Sequence, residues 1–144
     1  MTTRVLDADG LTFPVSVPVL IIGAGACGLT AALAARESGA EVMVLERDAR
    51  PSGSTALSSG MIPAAGTRFQ RAKGIEDSPE MLAADIMAKN QGLADPRIVN
   101  CVAAQSADTI EWLADSCGVA FELVEGFLYP GHSRLRMHAP PSRT

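Results

Sequence analysis

Apolar residues first gather into a readable pattern at positions 19–22, where VLII forms a short, largely β-branched run between Pro18 and a cluster of glycines. Such a run predicts a strand buried on both faces. The following stretch, LTAALAARESG, exchanges valine and isoleucine for leucine and alanine, so a helix over about residues 26–38 is expected, ended by Gly39. EVMVLE then predicts a second strand over residues 41–46. Together these make a β-α-β unit. Upstream, residues 1–17 show only weak alternation in LTFPVSV, interrupted by Pro14, and read as an N-terminal arm that adds at most an edge strand.

Past residue 46 the text turns to Gly, Ser, Pro and Ala, and residues 47–73 predict a long loop whose backbone can approach a ligand closely. Ser78-Pro79-Glu80 joins a capping serine to a proline at the first helical position and predicts a helix over residues 79–90. Asp95-Pro96 repeats the device for a longer helix. There Val99, Val102, Ile110, Leu113 and Cys117 share one face, and Gly118 stands where a C-terminal cap belongs. Residues 121–123 form a short strand candidate, and no internal repeat is visible.

Residues 17–35 carry no charge, which is the length of a membrane span. Pro18, Gly23, Gly25 and Gly28 argue against one, and a signal peptide would not place Asp7 and Asp9 between Arg4 and its apolar core. With 144 residues, a net charge of -4 and 47% hydrophobic residues, the chain reads as one soluble globular domain. Its basic residues are scattered apart from Arg134, Arg136 and Arg143, so no nucleic-acid partner is expected. Cys27, Cys101 and Cys117 fit neither a zinc site nor a disulfide framework; buried thiols in a reducing cytoplasm and no metal site are the expectation.

The glycines carry the candidate chemistry. Gly23-Ala24-Gly25-Ala26-Cys27-Gly28 is a G-x-G-x-x-G placed after a strand and opening a helix. In that context Gly23 permits the tight turn, Gly25 lets backbone approach a pyrophosphate, and Gly28 lets helix pack on strand, with the helix N-terminus facing the phosphates. Glu46 closes the second strand roughly 20 residues on, where a carboxylate accepts hydrogen bonds from a ribose diol. Adenine dinucleotide binding is the functional reading; a merely structural β-α-β unit is the alternative, since small residues pack helices on strands in many α/β proteins.

Glu46-Arg47 followed by PSGSTALSSGMIPAAGT, residues 51–67, resembles the FAD-binding N-terminus of the fumarate reductase and succinate dehydrogenase flavoprotein family, which includes L-aspartate oxidase and 3-ketosteroid dehydrogenases. EWLADSCGVAFE and GHSRLRMHAP resemble the same family, so the likeness runs from Val19 almost to the end. It implies a Rossmann-like, FAD-binding α/β fold in which the β-α-β unit is followed by a flavin-side loop and helices. It also implies that Ser52-Gly53-Ser54-Thr55 and Ser59-Gly60-Met61 line the flavin and its diphosphate. Ser52 and Met61 stand where the family has glycines. Ser54 stands where covalently flavinylated members carry histidine, which implies non-covalent FAD.

Other residues admit two readings each. Cys27, in the first turn of the glycine-led helix, is a filler of a small slot or a thiol activated by the helix dipole. Met43, Met61, Met81 and Met87 are gap fillers, with Met61 alone offering backbone to a flavin. His132, Ser133, Arg136 and His138 form either a polar surface segment or, as the resemblance favours, groups near flavin and substrate.

One β-α-β unit and two helices do not complete a doubly wound sheet. The expectation is therefore an incomplete doubly wound domain: an arm at 1–17 and, at 18–144, the N-terminal part of an FAD-binding domain from a longer enzyme. The capping domain and catalytic residues would lie elsewhere. The resemblance implies a soluble FAD-dependent oxidoreductase moving a hydride between flavin and an activated C-C bond of a small-molecule substrate, with an unspecified electron partner. A stand-alone NAD- or ADP-binding module without redox activity is the alternative. The fragment alone is expected to be inactive.

Overall fold

A computed structural model describes residues 7–51 and 53–142. Arg4 of the arm, Ser52 of the flavin-side loop and Arg143 of the basic group lie outside the described residues. The chain divides into two compact units, Met1–Pro51 and Ser52–Thr144.

The first unit is the expected β-α-β. Strand β1 (Val19–Ile22) pairs in parallel with β2 (Val42–Leu45), in register from Val19 opposite Val42 to Ile22 opposite Leu45, and helix α1 (Ala26–Glu37) connects them. Gly39 follows the helix at φ 84°, a left-handed conformation that ends it without steric cost. β1 is not buried on both faces. Leu20 is 51% exposed and Ile22 84% exposed, because alternate side chains point to opposite faces and α1 covers one of them. Residues 7–18 form no strand; the expected edge strand is absent, in keeping with the missing donors of Pro14 and Pro18.

The second unit is more elaborate than a loop and two helices. Residues 47–73, expected to be a loop, contain helix α2 (Ser54–Leu57), strand β3 (Ile62–Pro63) and helix α3 (Arg68–Arg71). α3 is started by a capping box, in which the Thr67 side chain accepts from the Gln70 N–H and the Gln70 side chain accepts from the Thr67 N–H. Helix α4 (Pro79–Lys89) is capped by Ser78, whose Oγ accepts from Met81 N–H at 3.3 Å, and helix α5 (Pro96–Asp115) by Asp95, which accepts from Arg97 N–H at 2.8 Å. Strands β4 (Glu122–Leu123) and β5 (Met137–Ala139) complete an antiparallel sheet of order β3-β5-β4. β5 is an unexpected strand, and it is the central one. Its backbone is paired on both sides, although its sequence, MHA, carries no strand signature.

α5 buries Val99, Ala103, Ser106, Ile110 and Leu113, which recur every three or four positions, and packs on α4 where Val99 and Ala103 meet Leu82 and Ala83. Val102 does not belong to that face and is exposed, since the small residues Ala103 and Ser106 occupy the register assigned to it. Ala65, Leu82, Ala83, Val99 and Ala103 form the main core, and Val124, Met137 and Ala139 a second cluster beside Met61. The expectation of buried thiols fails: Cys27 and Cys101 are exposed and Cys117 is half-buried. Cys101 sits two residues from both Val99 and Ala103, which on a helix is nearly the opposite side.

Candidate functional site

The glycine-rich turn begins where the parallel ladder stops. Gly23 adopts φ 101°, and its N–H donates to Leu45 O at 2.7 Å, one rung beyond the paired strands. Ala24 N–H donates at 2.8 Å to Oε2 of Glu46. The other carboxylate oxygen of Glu46 accepts from Asp48 N–H at 3.1 Å. These backbone donors, Ala24 first, hold the Glu46 carboxyl below the usual carboxylate range, so it is an anion at neutral pH.

Gly28 is required for a packing reason. A Cβ there would stand 2.0 Å from Gly23 O and 3.2 Å from Ile21 Cγ2, so any side chain would push helix and strand apart. Gly25 caps α1 without a side-chain hydrogen bond, and no acidic residue stands in the first turn, which leaves the positive end of the helix dipole to an anion. Cys27, in that turn, is exposed and not a buried filler. Ala26 is exposed as well, and Arg47 is exposed beside Asp48, 3.4 Å away. A turn with an outward-facing helix N-terminus and an ionised carboxylate at the strand end fits a dinucleotide diphosphate and its ribose.

In the second unit, Ser54 and Thr55 open α2 and are exposed, after Gly53 at φ 117°. Ser59 and Gly60 follow at φ 54° and 65°, two successive left-handed residues, and Met61 N–H donates to Ser58 O at 3.0 Å to close the turn. A non-glycine residue in that region is strained, a condition that gathers at ligand sites. Ser58 and Met61 line a cavity of about 400 Å3 together with Tyr129, His132 and Met137. The structure thus brings Met61 and His132, far apart in sequence, to the walls of one cavity. The Tyr129 and His132 rings lie 5.2 Å apart, and burial pushes His132 below the usual histidine range, with Arg136 adding to the shift.

Arg136 is fully buried, and its guanidinium is already engaged. Nε and Nη2 donate to the two carboxylate oxygens of Asp77 at 2.7 and 2.8 Å, while Nη1 donates to Asp85. Asp85 also accepts from Ser133 N–H and Oγ, at 2.7 and 2.8 Å. Burial opposes ionisation of Asp85, but Arg136 and Ser133 outweigh it and bring its carboxyl down to about 2. Burial likewise acts against the Arg136 charge, and the two carboxylates overcome it. Gln70 Nε2 donates to Asp77 and to Leu135 O, both at 2.8 Å.

His138 is fully buried next to this group, its Nε2 2.8 Å from Thr67 Oγ1 and its ring 5.6 Å from Phe69. Thr67 Oγ1 also accepts from Gln70 N–H, so the same hydroxyl joins the α3 cap to the His138 ring. Burial pushes His138 below the usual histidine range; the backbone carbonyls of Arg136 and Ile62 oppose this only in part. The segment is thus divided: Arg136 and His138 are buried, Ser133 is exposed and His132 half-buried, and the Nδ1 atoms of both histidines are buried without a hydrogen-bond partner. Sequence reading did not pick out Thr67, Gln70, Asp77 or Asp85. Asp85 carried a signal: it falls three residues after Leu82, on the apolar side of α4, where a carboxylate needs a partner.

Among the described residues no cluster of potential metal ligands occurs, and no helix is long and apolar enough to cross a membrane. Residues 18–139 match the FAD binding domain family. The chain belongs to that family, and it is an FAD-binding chain of mixed α/β architecture with a parallel strand pair. It is 38% identical over 132 residues to a urocanate reductase of Eggerthella lenta, covering 92% of this chain and 21% of the relative. It is 34% identical to a fumarate reductase (cytochrome) of Shewanella frigidimarina, covering 87% and 21%. The open conformation of a flavocytochrome c3 fumarate reductase superposes with a TM-score of 0.75 at 34% identity, covering 88% of this chain and 23% of that one. The chain thus spans about a fifth of the length of the relatives it matches. These relatives are flavin oxidoreductases, as expected from the resemblance.

Proposed function

We propose that the whole protein is an FAD-dependent oxidoreductase that transfers a hydride between flavin and a carbon of an activated C-C bond in a small-molecule substrate. The observation that carries this reading is the glycine turn locked to Glu46 at the end of a parallel strand pair, in a chain of the FAD binding domain family. Bound FAD supplies the two-electron carrier; the protein supplies position and electrostatics. Gly23, Gly25 and Gly28 admit the diphosphate, with the Ala26 and Cys27 turn facing it, and Glu46 accepts from the adenosine ribose beside Arg47. Ser54, Thr55, Ser59, Gly60 and Met61 take the flavin side, without a covalent bond to the ring. Residues 18–144 form part of a doubly wound FAD domain in this reading. His132 is the group of its segment that faces a cavity; Arg136 and His138 are buried further along the chain, and Ser133 is exposed and bonded to Asp85. Because Arg136 is spent on Asp77 and Asp85, it holds the strand and does not bind a substrate carboxylate.

The test is flavin uptake. The purified protein should bind FAD, seen as a flavin absorption band and quenched flavin fluorescence, and Gly25→Val should abolish it by filling the space of the diphosphate. Titration in which NAD binds and FAD does not would replace the proposal with a nucleotide module lacking redox chemistry.

A further inference from the structure

We propose that Glu46 is a positioning residue for the glycine-rich turn, holding it in its ligand-ready shape before any nucleotide arrives, apart from whatever bond it makes to a ribose. The inference rests on the FAD reading above and deepens it. The parallel ladder ends with Ile22 opposite Leu45, and Gly23 N–H takes the last backbone carbonyl available, that of Leu45. Ala24 holds the next donor. The chain has by then turned toward α1, and the Glu46 side chain supplies the acceptor for that donor. Ala24 is the one buried residue among those described in the first unit, and Glu46 is the acceptor that its N–H finds.

The carboxylate is itself held from the opposite side by Asp48 N–H, which fixes its orientation. Each of its oxygens retains acceptor capacity, so ribose hydroxyls can add to the carboxylate without displacing Ala24. A turn ordered in advance loses less conformational freedom on binding, and the gain appears as affinity. A ribose-only role makes a different prediction, and the two can be separated.

The experiment compares FAD with its analogue bearing a 2′,3′-dideoxyribose on the adenosine side, using wild type, Glu46→Ala and Glu46→Gln. Glu46→Ala should weaken FAD about tenfold or more and weaken the analogue by nearly the same factor. Glu46→Gln, whose amide oxygen can accept from Ala24 N–H, should recover part of the analogue's affinity. In ligand-free protein, amide exchange at Ala24 should accelerate about tenfold in Glu46→Ala and be partly restored in Glu46→Gln. A penalty that vanishes with the analogue, or exchange at Ala24 unchanged in Glu46→Ala, overturns the proposal. Failure of wild type to bind FAD would overturn the functional reading instead, and exchange at Ala24 would still decide the clamp.

Discussion

In the first unit the described residues bury only Ala24 and leave Leu20, Ile22 and Leu45 exposed, whereas the second closes a core over Leu82, Val99, Ala103 and Ile110. The second unit also seals a guanidinium with two carboxylates inside it. The first is shaped chiefly by backbone: a four-residue parallel ladder, the Gly23 rung and the Ala24 bond to Glu46. The second is shaped by side chains. Removing apolar bulk should therefore be felt in the second unit, and disturbing a backbone donor or a close approach in the first.

Arg136→Met should break the contrast most severely. It leaves Asp77 and Asp85 facing a low-dielectric interior without their cation, and the second unit should lose about 3–5 kcal/mol, read as a lower urea midpoint. A loss under about 1 kcal/mol would mean that water reaches the carboxylates. Next in size is a matched pair: Leu82→Ala should cost about 2–5 kcal/mol, while Leu20→Ala should stay within about 0.5 kcal/mol. Equal losses would show that Leu20 is covered in solution. Gly28→Ala should cost about 1–3 kcal/mol through its clash with Gly23 O, loosen residues 19–46 in amide exchange and lower flavin content.

The smallest expected effect is the dependence on pH, which separates the units cleanly because both histidines lie in the second. His138 titrates below its unfolded value, so its contribution is fully present above about pH 6.5 and is lost as pH falls toward its folded value. Asp85 adds a contribution lost only between its ordinary 3.8 and about 2. Urea unfolding of the second unit at pH 7 and pH 5 should show the first loss, and His138→Gln should reduce it to the part that His132 contributes. A steeper dependence in the first unit would reverse the assignment.

These contrasts also explain which features were legible in advance. The β-α-β order, the caps at Ser78 and Asp95 and the roles of Gly23 and Gly39 are local: each depends on dihedral preference or on donors within a few residues. β5 was not legible, because MHA becomes a central strand only when Ile62 and Leu123, distant in sequence, supply its partners. Val102 was misplaced for a related reason. Spacing alone allows more than one stripe on a long helix, and the surfaces packed against α5, Leu82 and Ala83 of α4 and Ala65, selected the stripe of Val99, Ala103 and Ser106.

By itself the sequence determined a strand, a glycine turn and a helix in that order, with a carboxylate at the end of the second strand, because short-range sterics and hydrogen bonding decide such features. Only the tertiary structure decided that the Glu46 carboxylate accepts from Ala24 N–H, that Arg136 is consumed by Asp77 and Asp85, and that Met61 and His132 share a cavity. The physical reason is the cost of burial. A donor or charge withdrawn from water must find a partner, and which partner lies within reach is set by how the distant parts of the chain pack.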